Sequence, residues 1–242
     1  MIASWHLVQY RLRVVSPSRL AGRIDGLRFW RPLDIGGDFG WFHDHPSRWG
    51  LYRRLKPDFR RWGFYGVWDD DAALDGFLAN PPQRWADGWV ECLSLRLRPT
   101  AAHGPWAGVD ALEAPAAAPA GDGPVAHMVR LDLTLRGTLA MWGSAAPHVL
   151  HFLPGQEDLL LGIPLVDRPY MQPVSFSLWR SSDAVHNFSR RADGHQRSVQ
   201  LVQRSQQNLH ARYSTASFEP YSCEGTWHGR NPLAEGIPAV RT

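Results

Sequence analysis

"GPWAGVDAL" at 104–112 and "GTWHGRNPL" at 225–233 spell one pattern, G-x-W-x-G-x-[D/N]-x-L, at two distant points of a 242-residue chain. Each follows a run that alternates like a strand. The likeness extends upstream. "FYGVWDDDAALDGF" (64–77) matches "SFSLWRSSDAVHNF" (175–188), with Trp68 and Phe77 nine residues apart and Trp179 and Phe188 the same. "GLRFWRPL" (26–33) finds a counterpart in "PHVLHFLP" (147–154), and the halves open on alternating segments, "WHLVQYRLRV" (5–14) and "HMVRLDLTLR" (127–136). Between them "ALEAPAAAPAGDGP" (111–124) has the Ala/Pro/Gly composition of an extended linker. A phrase written twice in this way marks a fold unit written twice.

Within each half the order reads strand, short helix, strand, strand, helix, strand. "VSFSLW" (174–179) alternates with period two, so Val174, Phe176 and Leu178 share one face and Trp179 takes the other. From 181 the spacing turns helical: Val185, Phe188, Ala192, His195, Val199 and Val202 fall on a single stripe. A βαββαβ unit repeated twice predicts an α+β fold of tandem ferredoxin-like repeats, forming an α/β barrel with helices outside the sheets. The expected units are 1–112 and 125–242, joined by an exposed linker at 113–124. In the repeated phrase, glycine allows a turn, and Trp106 and Trp227 are read as structural residues that lock each tail onto its own sheet.

Composition bounds the function. No segment approaches the roughly 18 uninterrupted apolar residues of a membrane span, and "MIASWHLVQYRLRVV" alternates like a strand rather than a secretory leader, which predicts a cytoplasmic protein. Two cysteines, Cys92 and Cys223, are too few for a disulfide framework or a cysteine-based zinc site. The net charge is only +3, and the basic stretch "RRLKPDFRRW" (53–62) carries no nucleic-acid motif, so no nucleic-acid partner is expected. Twelve tryptophans imply large flat apolar surfaces, in a core or around a flat or elongated apolar ligand.

Duplicated folds specialise one copy, so the chemistry is sought where the halves differ. His195 lies in the apolar stripe of the second half, and the position matching it at the local offset of 111 is Arg84, in "NPPQRWADG", which two prolines interrupt. Two readings stand for His195: a core histidine satisfied by a carbonyl or water, or a ligand to a metal or haem. The pair His43 and His45 in "FHDHP" lacks a third ligand at convincing spacing and reads as a loop. His148 and His151, on an expected strand, point to opposite faces. No nucleophile elbow, P-loop or dinucleotide fingerprint appears. Asp69, Asp70 and Asp71 stand where a helix begins and complement its dipole.

"VSFSLWRSSDAVHNFSRRADGHQRSV" followed by "ARYSTASFEPYSCEGTWHGRNPL" resembles the carboxyl half of the spheroidene monooxygenase family, the acyclic-carotenoid oxygenases. "GLRFWRPL" and "RWADGWVECLSLRLRPTAAHGPWAG" carry the resemblance into the first half, while "DIGGDFGWFHDHPSRWGLYRRLKPDFRR" (34–61) is longer and more polar than the family's connection. The resemblance implies the dimeric α/β barrel superfamily and a haem b cofactor with His195 as axial ligand to iron. It implies O2 and a ferredoxin-type electron donor, used to oxidise a C–H bond of an apolar, carotenoid-type small molecule. On that reading Arg191 and Arg197 are candidates to pair the haem propionates, and Trp142, Phe176, Trp179 and Phe188 are candidate pocket walls. A homodimer and peripheral contact with a membrane are the associations it suggests. Two other readings stand beside the oxygenase: another haem enzyme of the superfamily, aldoxime-dehydratase-like or tailoring a small metabolite, and a cofactor-free ligand-binding barrel.

Overall fold

The computed structural model describes residues 1–14, 24–36, 57–82, 85, 87–106, 122–140, 156–168, 172–191 and 212–234. Among the described residues eight strands carry the fold: β1 (Ile2–Tyr10), β2 (Leu27–Gly36), β3 (Pro57–Trp68), β4 (Trp89–His103), β5 (Val125–Asp132), β6 (Leu159–Arg168), β7 (Gln172–Trp179) and β8 (Arg212–Gly225). They close into a barrel in the order β1-β3-β2-β6-β7-β5-β8-β4, every pairing antiparallel. Three helices appear among the described residues: α1 (Asp71–Ala79), α2 (Leu135–Ala140) and α3 (Ser182–Arg191). The α+β class therefore stands as the sequence implied, and the sheet is antiparallel among the described strands.

Alternation sorts the side chains. Trp5, Leu7, Tyr65, Leu93, Leu95, Met128, Ile163, Phe176 and Phe218 point inward and are buried in one core. There Trp5 stacks on Phe176 with ring centroids 4.4 Å apart, and Tyr65 stacks on Trp106 at 5.0 Å. Among the described residues these side chains pack the barrel interior.

The pairing registers repeat between the two runs of four strands. Ile2 faces Trp68 and Leu27 faces Trp68 in the first; Val125 and Leu159 face Trp179 in the second. The β2–β3 ladder shifts just after Leu27 and the β6–β7 ladder just after Leu159. The counterpart of β2 is accordingly β6, and this corrects the match of 26–33 with 147–154, a segment outside the described residues. Similar aromatic content suggested that match, whereas the hydrogen-bond ladder sets the register. The nine-residue spacings have a common geometry too: Trp68 and Phe77 have centroids 5.1 Å apart, as do Trp179 and Phe188.

The repeated phrase sits on the β4–β8 seam. Gly104, at the end of β4, has φ +76°, and a Cβ there would stand 2.7 Å from the Tyr213 carbonyl oxygen of β8. Gly225, at the end of β8, has φ +78°, and a Cβ would overlap the Cys92 carbonyl oxygen of β4. Each strand thus ends on a left-handed glycine pressed against the other run's backbone, where any side chain would collide. Trp106 and Trp227 follow and are buried in the barrel core. Trp106 reaches past its own sheet: its Nε1–H donates to Asp167 of β6 at 3.2 Å. Asp167 also faces the buried Arg130, which is paired with Asp132 at 2.7 Å. The expectation that each tail locks onto its own sheet is revised by this cross-barrel bond.

Candidate functional site

α1 and α3 begin alike. Asp70 caps α1 by accepting from the Ala73 N–H at 2.9 Å, and Ser181 Oγ accepts from the Ala184 N–H at 3.2 Å ahead of α3. Each has an aspartate in its first turn, as the helix dipole favours. α1 ends at Ala79, before Pro81 and Pro82, which lack the N–H a helix interior needs. The two helices cover different floors.

Outside the first four strands the surface is filled. Trp62, Phe64, Trp68, Leu74, Phe77 and Trp85 form a buried cluster, with Trp30 and Trp89 packed against it. His6 is sealed beneath it, its Nδ1 2.9 Å from Ser94 Oγ and its Nε2 3.0 Å from Ser4 Oγ. Burial, and secondarily the charge of Arg96, lowers its pKa to about 3. This imidazole is neutral and already spoken for, so it offers nothing to a ligand.

The second four strands have the same register but small outward residues. One row across them runs Gly162, Ser177, His127 and Ser217; the next runs Pro164, Ser175, Val129 and Thr215. At the matching places the first run has Trp30, Gly66, Ser4 and Arg96, then Pro32, Phe64, His6 and Ser94. Trp30 is replaced by Gly162, and Phe64 by Ser175. His127 occupies the middle of this shallow floor, half-buried, with Nδ1 3.0 Å from Ser217 Oγ. Ser177 Oγ donates to the His127 carbonyl at 3.3 Å. α3 meets the floor's rim through Ala184 and Phe188, which pack with Trp179 and the half-buried Leu159 and Val185.

This arrangement bears directly on whether a haem fits. A flat macrocycle needs a floor without protruding rings, a wall and an axial ligand facing the floor. Among the described residues the first face carries Trp30 and Phe64 where the second carries Gly162 and Ser175, so only the second is free of rings at those places. In sequence His195 follows Phe188 by seven residues on the expected apolar stripe. His195, Arg197 and Trp142 lie outside the described residues, as do His43, His45, His148, His151 and the side chain of Arg191. Trp179 and Phe188 are brought together at the rim. Phe176 is on the opposite side of β7, inside the barrel, where it backs the floor from beneath. Among the described residues no three His, Cys, Asp or Glu side chains gather to hold a metal, so a protein-only metal cage has no support there.

Sequence reasoning missed His127 and the serine rows. Their signal was present in the matched segments, since Phe64 aligns with Ser175 in "FYGVW" and "SFSLW".

No protein-family model matches the chain. Among curated proteins it is 28% identical over 188 residues to the spheroidene monooxygenase of Cereibacter sphaeroides, covering 76% of this chain and 56% of that protein. The Rhodobacter capsulatus and Rubrivivax gelatinosus spheroidene monooxygenases are each 28% identical, over 75% and 85% of this chain and 76% and 73% of their own lengths. The resemblance to the spheroidene monooxygenases holds. The matched region thus spans little more than half of the Cereibacter protein. Among solved structures an aldoxime dehydratase superposes with a TM-score of 0.58 at 13% identity, covering 98% of this chain and 88% of that one. A second, an aldoxime dehydratase in complex with butyraldoxime, superposes at 0.54 and 11% identity, over 91% and 79% of the two chains. These likenesses show a shared fold.

Proposed function

We propose that this protein is a haem-dependent monooxygenase that oxidises a C–H bond of an apolar, carotenoid-type substrate with O2 and electrons from a reduced ferredoxin. The observation that carries the reading is the exchange of Trp30 and Phe64 for Gly162 and Ser175 at matching register, which takes two large rings off one outer sheet face. The relatives' names supply the chemistry, and 28% identity along most of the chain supports carrying it over. The same reading takes the chain as two copies of one ferredoxin-like unit, 1–112 and 125–242, of which the second is specialised.

Bound haem supplies the oxygen activation; the chain supplies position, polarity and dryness. His195 would hold the haem iron through a neutral imidazole. Arg191 and Arg197 pair the propionates. Trp142, Trp179 and Phe188 wall the substrate channel, and Phe176, stacked on Trp5, holds the floor rigid from inside the barrel. His127 places an imidazole at the floor's centre, oriented by Ser217.

The test is expression in a bacterium that accumulates acyclic carotenoids, with a ferredoxin supply. Keto-carotenoids are the expected product. A haem-loaded protein that leaves the carotenoids unchanged, yet converts a small nitrogenous metabolite, overturns the carotenoid assignment. His195→Ala is expected to keep the fold and lose the histidine-ligated ferrous spectrum. An unchanged spectrum in that variant removes His195 from the site.

A further inference from the structure

Among the described residues four large apolar side chains are exposed: Leu12, Val90, Leu135 and Tyr213. Tyr213, 40% exposed, is the one that stands on a strand of the second half. Residues two apart on a strand point the same way, so Tyr213 shares its face with Thr215 and Ser217, the β8 members of the two floor rows. One row further Val166 faces Pro173 and Leu131 faces Tyr213, so the floor ends on an apolar border. β4 overhangs this corner. His103 faces Thr215, is itself exposed, and has its ring 5.2 Å from that of Tyr213 with the planes inclined by 34°. The first run has Cys92 at the place of Tyr213, half-buried against the aromatic cluster.

The other described borders are closed or charged. Trp179, Ala184 and Phe188 close the rim under α3. Beyond Ser217 on β8, Glu219 pairs with Arg98 at 3.0 Å, and both side chains are more than half exposed. On the β6 side the buried Asp34 faces Val166. Along β7 the floor runs from Trp179 to Pro173, about 20 Å at the usual strand rise. A rod-shaped ligand longer than that must cross a border. An apolar one keeps its surface out of water only by crossing the border that is apolar, and a charged border would have to be desolvated beneath it.

We infer that Tyr213, with His103 beside it, forms the lip over which an elongated apolar ligand leaves the floor, and that this pair sets the ligand length the site prefers. The inference rests on the reading of the second outer face as a substrate site, but on neither haem uptake nor turnover.

The experiment accordingly uses the full chain without cofactor and two neutral polyenes. Lycopene is longer than the floor, and diphenylhexatriene is shorter. Each is offered in detergent micelles, and the polyene retained is read from its absorbance after the protein is separated from them. The wild type is expected to retain both. Tyr213→Ser/His103→Ser, which alters two exposed side chains, is expected to keep the wild-type melting temperature. It should hold lycopene more weakly by on the order of tenfold, the worth of the ring area an apolar rod covers, and diphenylhexatriene equally well. Leu12→Ser, another exposed apolar position, should change neither. A wild type that retains no lycopene overturns the inference. So does a double variant that holds lycopene as well as the wild type, or one that loses both polyenes alike. Gly162→Trp/Ser175→Phe separates the lip from the floor. If refilling that face leaves both polyenes bound, the floor reading fails and the lip with it. If it removes both while the lip variant changes neither, the floor stands and the lip alone falls.

Discussion

His6 and His127 show how neighbouring side chains decide what one residue type can do. His6 is locked neutral, its pKa lowered from 6.5 to about 3 by burial and then by Arg96. A depressed folded value means the stabilising neutral form is fully favoured above about 6.5, and that contribution drains away as pH falls toward 3. Thermal melts of the wild type should therefore lose on the order of a few kcal/mol more than those of His6→Gln across that window. Parallel melting curves would show that His6 is not the titrating group. Glycine gives a second test. Gly225→Ala combines a left-handed backbone with a collision at Cys92 and should cost about 2 kcal/mol or more. Gly88→Ala has φ +82° and open space, so it should cost only about 1 kcal/mol. Equal shifts in melting temperature would contradict the seam's close packing. His127 itself was hard to read from sequence. Matching the opening strands at Trp5 and His127 pairs an inward residue with an outward one, whereas the ladder matches Trp5 with Met128 and Ser4 with His127. A one-residue slip exchanges the faces of a strand, and composition does not reveal it.

Elements were more legible than residues. The strand-to-helix steps at Trp68 and Trp179 were readable because aromatic residues nine apart must meet when a strand ends and a helix folds back on it. Both pairs have centroids at 5.1 Å. The counterpart of β2 was misread because aromatic runs look alike, while the shift after Leu159 that identifies β6 is a hydrogen-bonding event. Among the described residues α3 is held on the floor's rim chiefly by Phe188 and Ala184 against Trp179. Phe188→Ala should accordingly cost about 3 kcal/mol and should loosen α3 more than the barrel. Hydrogen exchange would show faster exchange at 182–191 with the strands unchanged. Uniform loss of protection would mean that α3 and the barrel unfold as one unit.

At the scale of the whole molecule, two runs of four strands share their registers, meet along the β4–β8 seam and differ in the bulk they place on their outer faces. That difference could not be seen in the duplicated phrase, which reports the seam. It resides in positions such as Gly162 and Ser175, which look unremarkable until the ladder sets them against Trp30 and Phe64. If the halves are true units, fragments 1–112 and 125–242 expressed together should associate through the seam and co-purify. Fragments that stay apart would make the chain one indivisible unit. The central claim is that the second outer face is the floor of a haem site. Titrating haem into the purified wild type and into Gly162→Trp/Ser175→Phe, which refills that face with the first half's aromatics, tests it most directly. The account predicts a histidine-ligated ferrous absorption spectrum in the wild type and its loss in a folded double variant. A wild type that takes up no haem, or a variant that binds haem as well as the wild type, would contradict it.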